Sequence, residues 1–258
     1  MADEWTLTVD DRVATLTLHR AEHKNSLTLD ALAELRQKCA QIREDRGIWA
    51  VILRTEGSQF SVGLDISLVQ QMVRADPQAV GDALRAMQAA LQDVESLPQP
   101  TIAALRGFCV GGGLMLALAC DFRISARNAR FSLPEVKRGL VVALGTERVT
   151  RAVGFARAKE LVMLGDLIHA DEAGRIGLVT RVVEVDQFDA EVEAFAAKFR
   201  DLPPRTVSAI KRIIDEGQHM ADSQALEIEL MTAMLNDADL AEGLRSFQEK
   251  RAPKFTGE

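Results

Sequence analysis

The sequence has little of what a disulfide-bonded, metal-bound or membrane-spanning protein needs. It holds three cysteines, Cys39, Cys109 and Cys120, with no CxxC pair. Neither these nor the four histidines, His19, His23, His169 and His219, are spaced as metal ligands. Reduced thiols in a cytoplasmic protein are the plain reading. No apolar run approaches the ~18 residues of a membrane helix. The first residues, Met1-Ala2-Asp3-Glu4-Trp5, are acidic and lack an apolar signal segment. Basic charge is in deficit. The 31 Lys and Arg face 38 Asp and Glu, for a net charge of −7 and a pI near 5.3. No nucleic acid is therefore expected as a partner, and the lack of a long apolar run gives the same expectation for a membrane. There is no Ser/Gly linker, no low-complexity segment and no fixed-period repeat. The GxSxG elbow and the GxxxxGK[ST] phosphate loop are both missing, and Gly111-Gly112-Gly113 does not meet the GxGxxG register.

What is present is globular. The 258 residues are 47% hydrophobic and 27% charged. That allows one large domain, alone or with a small appendage. Strand-like and helical patterns alternate. Thr6 to Val9 and Val13 to Leu18 predict a hairpin across Asp10-Asp11-Arg12. Thr28 predicts a capped helix from Leu29 to about Arg43. Trp49 to Leu53 suits a buried parallel strand, and Pro77 opens a helix ending near Leu97. Asp121 to Ser125 and Val179 to Val185 read as strands. Helices are expected at about 146–153, 155–164 and 171–176. From Phe188 onward the pattern is helical, broken at Pro203-Pro204. This is an α/β core with right-handed crossovers and a helical C-terminal part.

The stretch Gly107 to Gly113 organises the chain. A strand from Pro100 to Leu105 enters it, and the helix-forming run Leu114 to Cys120 follows. The expectation is strand, glycine turn, buried helix. Glycines let the backbone approach a ligand closely, and N–H groups at a helix start can hold an oxygen that turns negative. The same pattern serves a tight turn before a core helix, and spacing alone does not separate the two. A second glycine loop, around Gly63, follows the strand at 49–53. Loops at the carboxyl ends of parallel strands converge, so two backbone N–H groups could grip one oxygen. One such donor is worth roughly 3 kcal/mol of barrier.

Glu135 is the carboxylate of most interest. It follows Phe131, Leu133 and Pro134, and apolar surroundings raise a carboxylate pKa toward the range of a working base. A solvated surface Glu fits its local sequence as well. Glu147 reads as a helix first-turn residue favoured by the dipole, and His23 as a solvated loop residue.

Four blocks then resemble one family in order. They are Phe60-Ser61-Val62-Gly63-Leu64-Asp65-Ile66, the stretch from Gln99 through Gly111-Gly112-Gly113 to Phe122, Phe131-Ser132-Leu133-Pro134-Glu135 with Gly139, and the tail from Glu242 to Arg251. Over nearly its whole length the sequence resembles the crotonase, or enoyl-CoA hydratase/isomerase, superfamily. The resemblance implies a spiral of ββα repeats over 1–187 and a helical trimerisation part over 188–258. It implies a homotrimer or dimer of trimers acting on an acyl-CoA thioester, with coenzyme A as part of the substrate and no other cofactor.

By the same match the oxyanion donors would be the N–H groups of Leu64 and Gly112. Lys24, Ser26 and Leu27, with Ser61, Gly63 and Asp65, would line the nucleotide and pantetheine. Gly111 and Met115 would also lie against the substrate. Phe247 and Lys250 would approach the CoA of a neighbouring subunit. Hydratases of the family use two glutamates. Glu135 matches the second, but Met115 stands at the first. The segment after Glu135 is altered to Val141-Val142-Ala143-Leu144-Gly145, and the other acid of dienoyl isomerases would fall near Ala143. One glutamate suffices to shift a double bond. Hydration, with Glu147 or water standing in, and a non-catalytic acyl-CoA-binding protein are the alternatives.

Overall fold

The computed structural model describes residues 3–216 and 238–257, without the side chains of Val73, Glu216, Leu240, Leu244, Phe247 and Gln248. Strands β1 (Trp5–Asp10) and β2 (Val13–Leu18) pair antiparallel. Their two-residue turn places Asp11 and Arg12 at φ +41° and +68°, the backbone that a tight hairpin with matching twist requires. Helix α1 (Leu29–Glu44) is capped as expected, with Thr28 Oγ1 accepting from the Ala31 N–H at 3.0 Å. Strand β3 (Ala50–Thr55) follows, then α2 (Ile66–Arg74) and α3 (Pro77–Glu95). Asp76 caps α3 and Pro77 occupies its first turn, where the missing N–H costs nothing.

Next come β4 (Thr101–Leu105), β5 (Phe108–Val110), α4 (Gly112–Leu118), β6 (Phe122–Ala126) and β7 (Arg130–Ser132). Then follow α5 (Thr146–Leu164), β8 (Ile168–His169), α6 (Ala170–Arg175) and β9 (Arg181–Val183). Helix α5 breaks at Gly154, with φ +75°, so the two expected helices are two arms. Helices α7 (Phe188–Ala197) and α8 (Pro204–Glu216) begin the C-terminal part, which ends in the helix Ala238–Glu249.

The strands form two sheets. The larger has the order β1-β2-β3-β4-β6-β9, parallel from β2 onward. The smaller has the order β5-β7-β8, and Ser61 joins its edge through a parallel bridge to Cys109. The chain thus passes three times from large sheet to small: β3 to Ser61, β4 to β5, and β6 to β7. This corrects the expectation for 100–113. The strand does not run straight into the glycine turn. The chain bends at Gly107, φ +57°, and a second strand intervenes. Three residues are too few to show a period of two, so β5 and β7 left no pattern in the sequence.

Alternation along the large sheet divides two cores. Val51, Leu53, Ala103 and Leu105 face a cluster with α1, α3 and α4. Ala50, Ile52, Ile102 and Ala104 face Phe188, Val192, Phe195 and Ala196 of α7. Each large apolar side chain so buried stabilises the fold by about 2 kcal/mol. Helix α7 therefore closes the second face of the sheet. The three cysteines are buried. Burial pushes the thiols of Cys39 and Cys120 up to about 12 and that of Cys109 well above its ordinary value.

Candidate active site

The two glycine loops meet, and their amide directions follow from peptide planarity. In a trans peptide the C=O and the next N–H point opposite ways. The Gly63 carbonyl accepts from the Leu27 N–H at 2.8 Å. The Leu64 N–H of that same peptide must therefore face away from Leu27. The Gly111 carbonyl accepts from the Met115 N–H at 3.1 Å as α4 begins, so the Gly112 N–H faces backward out of the helix. Among the described residues neither amide has a protein acceptor. Both loops need glycine here. Gly63 has φ +93° and Gly111 φ +54°. A Cβ on Gly63 would meet the Val110 carbonyl at 3.0 Å and the Gly112 nitrogen at 3.2 Å. Close approach of two backbones, more than the field of a seven-residue helix, builds this pair.

Glu135 stands beside them. Strand β7 ends at Ser132, and the buried Leu133 leads into a 3₁₀ turn, Pro134–Arg138. The turn aims the carboxylate inward: a Cβ on Gly111 would lie 3.0 Å from Glu135 Oε1. Oε2 is buried without a hydrogen-bond partner among the described residues. Burial raises the Glu135 pKa, and its own backbone N–H and the Arg138 charge oppose this more weakly. An under-solvated carboxylate with a free lone pair is suited to take a proton from carbon.

Both features border a cavity of about 980 Å³. Lys24, Ser26, Gly63, Leu64, Asp65, Gly111, Gly112, Met115 and Glu135 all lie on its wall. The structure brings these sequence-chosen residues together. It moves Leu27 and Ser61 behind the wall. Both are buried and serve through hydrogen bonds to the Gly63 backbone. The motif match placed them beside the ligand because it carries position along the chain and not side-chain direction. Lys250 is exposed at the end of the last helix and away from this wall. The Phe247 side chain lies outside the described residues.

Met115 is fully buried and offers no ionisable group. Ala143 lines the cavity as a plain methyl. Among the described residues three carboxylates touch the cavity: Glu22, Asp65 and Glu135. Asp65 is committed elsewhere. It accepts from Ser26 Oγ at 2.8 Å and from the Ser67 N–H at 3.0 Å, capping α2. Bonds from Ser67 and Ser26 hold its pKa down. Glu147 does not stand in for an acid here. Its side chain is 66% exposed beside Arg148, and it borders a second cavity of about 920 Å³.

The sequence reading missed the far wall. Val69 and Met72 of α2, Val80 and Leu84 of α3, and Leu144 line the cavity. In sequence the four helical residues belong to the apolar stripes of two amphipathic helices, and such a stripe looks the same whether it meets core or ligand. Arg148 fixes that wall. It donates to the Leu144 carbonyl at 3.1 Å and pairs with Glu95 of α3 at 2.6 Å.

Comparison with known proteins places this geometry in context. The family model described as enoyl-CoA hydratase/isomerase matches residues 8–258. A crotonyl-CoA hydratase of Syntrophomonas wolfei is 35% identical over 250 residues, 95% of each chain. An (E)-benzylidenesuccinyl-CoA hydratase of Thauera aromatica is 36% identical over 259 residues, 98% of each. Among solved structures, an enoyl-CoA hydratase of Bacillus anthracis superposes with a TM-score of 0.93 at 33% identity. That match covers 99% of this chain and 100% of the other.

Proposed function

The chain belongs to the enoyl-CoA hydratase/isomerase family, and we propose that within it the protein shifts the double bond of an enoyl-CoA thioester. The thioester oxygen sits between the Leu64 and Gly112 N–H groups. Negative charge developing on it is held there, which acidifies the protons on C2 of a 3-enoyl chain or C4 of a 2-enoyl chain. Glu135 takes that proton, leaving a dienolate, and returns it to the other carbon. No atom is gained or lost, and one base completes the cycle.

The observation that carries the reading is Met115, buried in the cavity wall where the family's hydratases place their other glutamate. A thioether can neither activate water nor protonate carbon, and it keeps water from the intermediate. Lys24, Ser26 and Asp65 mark the mouth at which the nucleotide and pantetheine would enter. A homotrimer or dimer of trimers would bring Phe247 and Lys250 of one copy toward the CoA of the next. Light scattering of the purified protein gives that number.

Hydration is the second reading, favoured by the names of the relatives. Product analysis with matched 2-enoyl- and 3-enoyl-CoA thioesters decides. Isomerised products with slow or no water addition support the proposal. 3-Hydroxyacyl-CoA formed at an ordinary enzymatic rate supports hydration. Tight acyl-CoA binding with no turnover of either kind supports a non-catalytic binder.

A further inference from the structure

We propose that the Ser61 hydroxyl is the positioning group that sets the two amides of Leu64 and Gly112 against one another, a role that rests on those amides holding the thioester carbonyl. Ser61 is fully buried and bonded into both loops. Its main chain joins β5. The Ser61 N–H donates to the Phe108 carbonyl at 2.9 Å, and the Val110 N–H donates to the Ser61 carbonyl at 3.0 Å. Gly112 follows two residues later. Its side chain joins the other loop. Oγ accepts from the Gly63 N–H at 3.1 Å, one residue before Leu64. Oγ also donates to the Asn25 carbonyl at 2.7 Å. The start of α4 rests on the same residue: a Cβ on Gly113 would lie 2.6 Å from Ser61 Cβ.

Asn25 anchors the far end of this junction. It is buried, with φ +54°. Its Nδ2 donates to the Glu56 and Gln59 carbonyls, each at 2.8 Å, and its Oδ1 accepts from the Arg20 N–H at 3.1 Å. The Ser61 hydroxyl therefore has one donor and one acceptor bond, both to buried backbone. Without Oγ, the Gly63 N–H and the Asn25 carbonyl lose a partner, and the peptide before Leu64 turns to find another. A displacement of about 1 Å in a group that meets a reacting atom costs on the order of a hundredfold in rate. If Ser61 only satisfied a buried turn, its loss would lower stability and leave the amides aimed as before.

The test reads the bound carbonyl itself. Cinnamoyl-CoA is bound to the full-length Glu135→Gln protein, which blocks turnover, and its C=O stretch is followed by difference Raman spectroscopy. Held by two N–H groups, the band falls below its position in water. Adding Ser61→Ala is expected to remove half or more of that shift. With Glu135 restored, kcat is expected to fall about ten- to hundredfold, with KM within about threefold. Thr55→Val is the control. Thr55 Oγ1, at the end of β3 where this loop begins, donates to the Gln59 carbonyl at 3.0 Å. Its loss should lower the melting temperature and leave the band in place.

A full band shift in folded Ser61→Ala, or an equal loss in Thr55→Val, overturns the assignment. Should Ser61→Ala not fold, Gly113→Ala presses on Ser61 from α4 and should also lose the shift; an unchanged band there overturns it too. No shift even with Ser61 intact would sink the amide-pair reading itself, and this assignment with it. A shift present but insensitive to Ser61 sinks this assignment alone.

Discussion

Two carboxylates on the wall of the main cavity, Asp65 and Glu135, are treated in opposite ways. Asp65 is held by Ser26, Ser67 and the first turn of α2, and its pKa is lowered. Glu135 has a buried oxygen with no hydrogen-bond partner among the described residues, and its pKa is raised. The two side chains differ by one methylene, so identity does not set their roles. The partners do. A carboxylate bonded by several protein donors organises backbone, and one with few is left free to exchange a proton.

The largest expected effect that tests this contrast is on Glu135. Glu135→Gln should lower kcat for isomerisation by at least 10²- to 10⁴-fold, with the dissociation constant for acyl-CoA within a few-fold by calorimetry. Retained turnover would erase the contrast. The reverse change, Asp65→Ala, should remove a helix cap and cost about 1 kcal/mol in denaturant unfolding, with kcat falling less than tenfold. A collapse of kcat comparable to that of Glu135→Gln would show that both carboxylates act in the chemistry.

The pH dependence sharpens the comparison. Glu135 must be ionised to act, so kcat/KM should rise with pH through a limb lying above the ordinary carboxylate value of 4.5. A limb at or below 4.5 would contradict the burial. The stability sign is opposite. With its folded pKa raised, Glu135 binds its proton more tightly when folded, so its contribution to stability falls as pH rises through that window. Glu135→Gln should therefore melt higher than the parent protein at neutral pH, and the gap should close in acid. For Asp65, with its folded pKa lowered, stability is present above the ordinary 3.8 and is lost as pH falls through the folded value. The smallest effect is expected for Met115→Leu, a volume-conserving change costing under about 1.5 kcal/mol and leaving kcat within a few-fold. A larger loss would mean that the sulfur does more than exclude water.

Much of this was legible in the chain, for identifiable reasons. Thr28, Pro77 and the apolar strand from Ala50 announce themselves because capping, fixed φ and two-sided burial each demand particular residue types. Glu135 stood out by its apolar neighbours. The sequence match puts Ser61 and Leu27 on the ligand's side of the wall. Their work is done by a hydroxyl turned inward and by a backbone N–H, and neither direction is written in residue type. The amides of Leu64 and Gly112 are legible only through the glycines that let them meet. The short strands β5 and β7 took their conformation from the neighbours they pair with.

The three inaccessible sulfhydryls offer a set of built-in clocks. Cys39 lies on α1, Cys109 within β5 beside Ser61, and Cys120 just past α4. Alkylating reagents can reach each one only when its own part of the molecule opens. Mapping which thiol is modified first by mass spectrometry would therefore rank local unfolding across the molecule with no engineered probe. Ligand that slows only Cys109 would locate the tightening at the small sheet.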